Sequence, residues 1–165
     1  MTQRGSTSPT DRLFACAAYL LPTLDLMGLV APYVAKDPLL GPILGRLFMS
    51  LLPLLQLYYG FPFLPLILFF ALYLLVVRNA SLAHFIRFNV MQSILFGIIL
   101  SLISIVWGYI LSGLIGSLPF IQSTLFNTIF LGTLVAVGYS IVQSALGKYA
   151  EIPTISDAAY NQVRY

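Results

Sequence analysis

Residues 90–114 read VMQSILFGIILSLISIVWGYILSGL, an apolar run without one acidic or basic side chain. A helix needs about 20 such residues to cross the ~30 Å hydrocarbon core of a bilayer. Three further runs accompany this one. The first covers 13–34 and is interrupted by Pro22 and Asp25; the second, 61–77, is short and made of large side chains; the last covers about 120–146. Composition agrees, since of 165 residues 59% are apolar and 8% charged, with mean hydropathy +0.95. A soluble domain has roughly a quarter of its residues charged. Too few charges remain here to cover a water-facing surface. The expected fold is therefore all-α, an integral membrane bundle of four transmembrane helices in a single membrane domain over 13–146. Short polar tails flank it at 1–12 and 147–165.

The opening could be read as a secretory signal, with Arg4 and Arg12 before residues 13–21. Its apolar run instead continues to Val34 with no convincing small-residue cleavage site after it, so an uncleaved first span is expected. No long Ser/Arg-rich transit sequence precedes it, which fits a bacterial, organelle-encoded or mature chain.

Residues 43–59 are ambiguous. Leu44, Leu47, Phe48, Leu51, Leu55 and Tyr58 recur at helical spacing, while Arg46, Ser50, Pro53 and Gln56 form a second, polar stripe. Such a helix commonly lies along the membrane interface or packs sideways on a bundle. A fifth full span would place Arg46 in hydrocarbon, at about 2.5–3.5 kcal/mol on insertion scales. An interfacial or re-entrant amphipathic helix between the first and second spans is expected. Arg4, Arg12, Arg78, Arg87, Lys148 and Arg164 then fall on one side, against Lys36 and Arg46 on the other. The side richer in Lys and Arg faces the cytoplasm, so both termini should face the cytoplasm or its organellar equivalent.

Several function classes lose support at once. Cys16 is the only cysteine and His84 the only histidine, so an internal disulfide is impossible and a metal site is not expected. No phosphate-cradling loop, metalloprotease motif or nucleophile elbow occurs, and neither an enzymatic activity nor a cofactor is expected. The net charge of +3 comes from scattered single residues, unlike the basic stripe that binds nucleic acid.

Small residues recur at every fourth position in the last two spans: Ser104, Gly108, Ser112 and Gly116, then Thr128, Gly132, Ala136, Ser140 and Ser144. This spacing lets helix backbones approach closely in lipid. It predicts a tight antiparallel hairpin of the third and fourth spans; the same ladder could line a pore or a homo-oligomer contact.

Two polar features stand out. Asp25 is the only acid within an apolar run. Intramembrane carboxylates often mark an ion or substrate path, although one beside Pro22 could equally cap a broken helix. The stretch His84-Phe85-Ile86-Arg87-Phe88-Asn89-Val90-Met91-Gln92 sits at the mouth of the third span. Its polar side chains, with Arg78 just before it, could contact lipid phosphates, a partner loop or a translocating chain. Plain interfacial anchoring by a snorkelling Arg87 is the alternative.

That stretch, preceded by Val77-Arg78-Asn79, resembles the Tic twenty-kilodalton subunit family of the chloroplast inner envelope and of cyanobacteria. The tail Gly147-Lys148-Tyr149-Ala150-Glu151-Ile152-Pro153-Thr154-Ile155-Ser156-Asp157-Ala158-Ala159-Tyr160 resembles it too, and Asp11-Arg12-Leu13-Phe14 before a Pro-containing first span also fits. The resemblance implies a four-helix protein with both termini stromal or cytoplasmic, acting in a preprotein translocon, with no catalytic residues to carry over. A subunit of a protein translocation complex is thus the leading reading. Its partners would be membrane lipid, other translocon subunits, precursor polypeptides and further copies of itself. A small-solute transporter or channel using Asp25, and a structural scaffold for membrane assembly, are the alternatives.

Overall fold

The computed structural model describes residues 7–163; Arg4 and Arg164 of the charge bias lie outside them. Ser8 and Asp11 open the first helix reciprocally. The Asp11 N–H donates to Ser8 Oγ (3.1 Å) and the Ser8 N–H to the Asp11 carboxylate (2.9 Å). This capping box satisfies donors that a helix start leaves open, and Pro9 at the first position has no N–H to satisfy. Helix α1 (Pro9–Ala18) meets α2 (Leu20–Val34) at Tyr19. Pro22 explains the break, since it lacks the N–H that would bond the Ala18 carbonyl. Ser93 Oγ, from a distant helix, donates to Ala18 O instead (2.6 Å). A freed carbonyl finds no water in hydrocarbon. The break therefore ties the first pass to residue 93.

Together α1 and α2 form a 26-residue pass, the most buried of the long helices. Ala15, Ala18, Leu26, Met27, Val30 and Val34 are sealed within it. The other passes pack around this rod, α5 and α7 against both its halves and α3 against its second half.

The second pass differs from expectation. Helix α3 (Leu40–Gly60) has 21 residues, whereas the apolar helix Leu64–Val77 is shorter, comprising α4 (Leu64–Ala71) and a π-helical turn over Leu72–Val77. At 1.5 Å per residue these span about 32 and 21 Å. By length, then, α3 can cross the ~30 Å core and the stretch 61–77 cannot do so alone. The two join into one oblique, broken pass. Its start is held beside the end of α2 by Asp37, its middle meets the first pass where Tyr58 donates to Asp25 (2.9 Å), and its end reaches the start of α5, where Arg87 Nε donates to Val77 O (2.9 Å). The join carries Phe63 in the left-handed region (φ 65°), followed by Pro65. Arg46 is exposed less than two turns into α3, within snorkelling reach of the surface where α3 begins. Hydropathy over Leu40–Gly60 suits a span, but the prolines and glycines that punctuate α3 and the polar stripe with Arg46 point away from one; Pro53 sits on an exposed face, where it does not end the helix.

The third pass is a rod over His84–Ile115, in which α5 (His84–Val106) runs through a π-turn (Trp107–Leu111) into α6 (Ser112–Ile115). The fourth is α7 (Pro119–Ala145), and a short α8 (Ile155–Gln162) folds back onto α5. The expected hairpin of the third and fourth passes does not form along their lengths, because the first pass lies between them. Ser104, Gly108, Ser112, Thr128 and Gly132 are exposed, while Gly116 and Ala136 are half-buried. A Cβ added at Gly108 or Gly132 would meet nothing within 4 Å. Of the two ladders only Ser140 and Ser144 are buried. The close approach predicted there is made instead by Ala15 and Ala18 in the first pass.

Aromatic packing fixes the far end of the bundle. Tyr33 stacks on Phe126 with ring centroids 3.7 Å apart, Trp107 meets Phe126 edge-on, and the Trp107 indole N–H donates to Tyr33 OH (2.8 Å). Each ring hides apolar area while its polar atom stays partnered. In the adjoining turn, Asp37 accepts from the Leu39 and Leu40 N–H groups (2.9 Å each) and from Asn127 Nδ2 (2.7 Å). These bonds, the Leu40 amide foremost, hold its carboxyl below the usual range. A depressed carboxyl stabilises the fold above its unfolded pKa, and that contribution fades as pH falls through the native pKa. The emission of Trp107, the single tryptophan, should therefore shift on acidification below the ordinary carboxylate range. In Asp37→Asn this part of the shift should vanish.

Candidate functional site

Helix α7 ends in a Schellman motif, with the Lys148 N–H donating to Gln143 O and the Gly147 N–H to Ser144 O (2.9 Å each). Gly147 adopts φ +73°, which a residue with a Cβ resists. A Cβ there would also come within 2.5 Å of Thr7 Oγ1 and 2.9 Å of Arg12 Nε. Both ends of the membrane domain thus meet at one glycine, and the tail turns back across the bundle.

Beneath that tail lies a network of buried polar side chains. Tyr19 OH sits 2.9 Å from Asn89 Oδ1 and 2.7 Å from Gln92 Oε1, so one phenolic proton serves two amide oxygens. Asn89 Oδ1 also accepts from Ser144 Oγ (2.7 Å), and its Nδ2 donates to Phe85 O (2.8 Å). Gln92 Nε2 donates to Ala150 O and Ser156 Oγ (3.1 Å each). Ser156 Oγ in turn accepts from the Ile152 N–H (2.6 Å) and donates to Ala150 O (3.0 Å). Tyr19, Asn89, Gln92, Ser144 and Ala150 are fully buried. The network joins the first, third and fourth passes to the tail.

An aromatic layer covers it towards the surface. Tyr149 packs edge-on against Phe85 and Phe88, and Tyr160 lies 4.5 Å from Phe88 between centroids. His84 Nδ1 lies 3.0 Å from Tyr149 OH, and its ring stacks on Tyr160. The Arg87 guanidinium is buried at the end of the π-turn, where its bond to Val77 O supplies one of the carbonyls that a helix C-terminus leaves open.

The sequence candidates therefore divide. Asn89 and Gln92 converge beneath the tail with His84 at the rim, whereas Arg87 turns to the end of the π-turn and Arg78 is exposed on the connection to α5. Asp25 lies apart, deep beside the broken pass. Sequence reading missed Tyr19, Ser156 and the tail's backbone oxygens as partners of that stretch. Pro22, three residues beyond Tyr19, was the available signal, because a carbonyl freed inside a membrane demands a donor. No group of three His, Cys, Asp or Glu side chains able to hold a metal ion occurs among the described residues. The arrangement positions a chain segment.

These features define a multi-pass helical membrane protein whose C-terminal tail is locked onto the mouth of its third pass by a buried polar network. The chain belongs to the Tic20 family: the family model described as chloroplast import apparatus Tic20-like matches residues 8–159. A Tic20 family protein of Synechocystis sp. is 42% identical over 165 residues, covering all of both chains. Protein TIC 20-II, chloroplastic, of Arabidopsis thaliana is 32% identical over 171 residues, which covers 99% of this chain and 78% of that one. The Tic20 family protein Ycf60 of Porphyra purpurea is 35% identical, covering 98% and 80%.

Asn89→Leu removes the acceptor of the buried Ser144 hydroxyl and the donor to Phe85 O, leaving Tyr19 its bond to Gln92, and should cost about 1–3 kcal/mol for each group left unsatisfied, read as a lower unfolding temperature in detergent. Gln92→Leu should free the tail selectively, so that trypsin cuts faster after Lys148 while the membrane domain stays intact. Gly147→Ala should cost at least about 1–2 kcal/mol from the left-handed backbone alone, with the same gain in cleavage.

Proposed function

We propose that this chain is a membrane subunit of a protein-translocating complex, with both tails on the cytoplasmic or stromal side. The observation that carries the reading is that a chain matching the chloroplast import family over nearly its whole length fills its own centre. Leu24, Leu26, Met27 and Val30 of the first pass are buried against the surrounding helices, so the centre of one copy is packed with apolar side chains among the described residues. A polypeptide path would have to lie between subunits. The outward stripe of Ser104, Gly108 and Ser112 on the third pass suits that role, being exposed and made of small side chains. The shared face of α4 and the following π-turn shows Leu66, Ile67, Phe70, Leu74 and Leu75, which suits lipid. Arg12, Arg78, Arg87 and Lys148 gather at the end holding both tails, against Lys36 and Arg46 elsewhere, and this supports the orientation.

Photo-crosslinkers at Ser104, Ser112 and Phe70 in native membranes test the reading. Polypeptides arrested in transit should be captured from Ser104 and Ser112, and lipid from Phe70. A functioning complex that never yields a polypeptide adduct from any of these positions would count against it.

A further inference from the structure

The tail network and the proposed subunit role leave one feature unused, the carboxylate of Asp25. At 1.5 Å per residue it lies about 24 Å along the helix from Pro9 and about 14 Å from Val34, deep in the bilayer. Tyr58 OH donates to Oδ1, but Tyr59 OH is directed to Leu24 O (3.4 Å) instead. Among the described residues Oδ2 accepts no hydrogen bond, and no Lys or Arg pairs with the group. A carboxylate at such depth is costly unless it is partnered.

Oδ2 borders open space. A cavity of about 400 Å³ lies between Asp25, the join of the broken second pass and α5, lined by Leu21, Tyr58, Pro65, Phe69, Ile94 and Gly97. Gly97 keeps it clear on the α5 side, since a Cβ there would lie 3.2 Å from Oδ2. One turn on, Ser101 also lines it, with a hydroxyl that makes no hydrogen bond among the described residues. Irregular backbone at membrane depth persists where it is buried or lines a cavity, and discontinuous helices commonly form such binding sites. Here Pro65, two residues after the left-handed Phe63, brings the start of α4 to the cavity beside the carboxylate.

We propose that this cavity binds a small amphiphile with a primary ammonium head and an aliphatic body. The ammonium donates to Asp25 Oδ2 and to Ser101 Oγ, giving the buried charge its counter-ion through a charge-assisted bond. The aliphatic body lies against Leu21, Phe69 and Ile94. The hydroxyls of Tyr58 and Ser93 on the wall already donate to Asp25 and Ala18 O, and the rest is apolar, so a ligand with further polar groups would leave them poorly partnered.

The test uses the full-length protein in lipid nanodiscs with a diazirine-bearing alkylamine, its adducts mapped by mass spectrometry. Labelling should saturate on peptides containing Leu21, Phe69 or Ile94 and be competed by n-octylamine but not by n-octanol. Loss of one buried charged bond, about 1.5–3 kcal/mol, corresponds to about ten- to hundred-fold weaker binding in Asp25→Asn. That variant keeps an acceptor for Tyr58, and normal protection of the tail from trypsin would show that it folds. Gly97→Leu, which fills the cavity while retaining the acid, should also abolish labelling. Undiminished labelling of folded Asp25→Asn overturns the proposal, as does equal competition by octanol, or the absence of saturable labelling. Competition by a lysine-bearing peptide but not by octylamine overturns it in favour of a polypeptide occupant.

Discussion

Inside a bilayer no water is available to a backbone or side-chain polar group that loses its partner. Pro22 creates one such loss at the Ala18 carbonyl, and much of the fold follows from settling it. Ser93 supplies the missing donor, which fixes α5 against the first pass. Asn89, one turn earlier on α5, and Gln92, the residue before Ser93, face Tyr19 at the same helix break. Gln92 then has an amide group to place and finds the tail, so the bends at Tyr19 and Gly147 belong to one hydrogen-bonded unit. Interhelical bonds of this kind are each worth about 0.6 to 2 kcal/mol in membranes. Their effect here is mainly on specificity, because an alternative register would strand several buried groups together.

The second pass obeys the same constraint differently. A helix broken in mid-membrane would be untenable against lipid, yet this one breaks beside Asp25 and the small residues of α5. Tyr58 and Tyr59 reach from the last turn of α3 to the first pass, so the end of that piece is anchored where its backbone ladder stops. The following piece ends in a π-turn capped by Arg87. A cation that composition assigns to the membrane surface thereby becomes a buried structural element, its charge set against the negative end of a helix.

Placing the first pass at the centre also decides which surfaces are left for partners. The centre of a single copy is filled by the first pass, and Ser104, Gly108, Ser112, Thr128 and Gly132 of the small-residue ladders look outward. Apolar surface gains little by leaving lipid for another helix, whereas close packing at small residues does gain dispersion contacts. Those outward faces are therefore suited to neighbours of defined shape, and the bulky face of α4 to lipid chains.

Sequence alone determined the solvent and the secondary structure, because hydropathy over a helix length reports directly on lipid exposure. It also marked Asp25 and residues 84–92, since a polar residue in an apolar run stands out wherever it folds. It did not determine which of residues 43–59 and 61–77 could cross, because a window average cannot distinguish a proline on an exposed face from one that ends a helix. It also placed the close packing between the third and fourth passes, since spacing records that a face is small and not what lies opposite. Tertiary structure decided that Ala15 and Ala18 occupy the centre, that Tyr19 joins Asn89 and Gln92, and that the tail closes over them. Each of these rests on contacts between residues far apart in the chain, and such pairings leave no local pattern in the sequence.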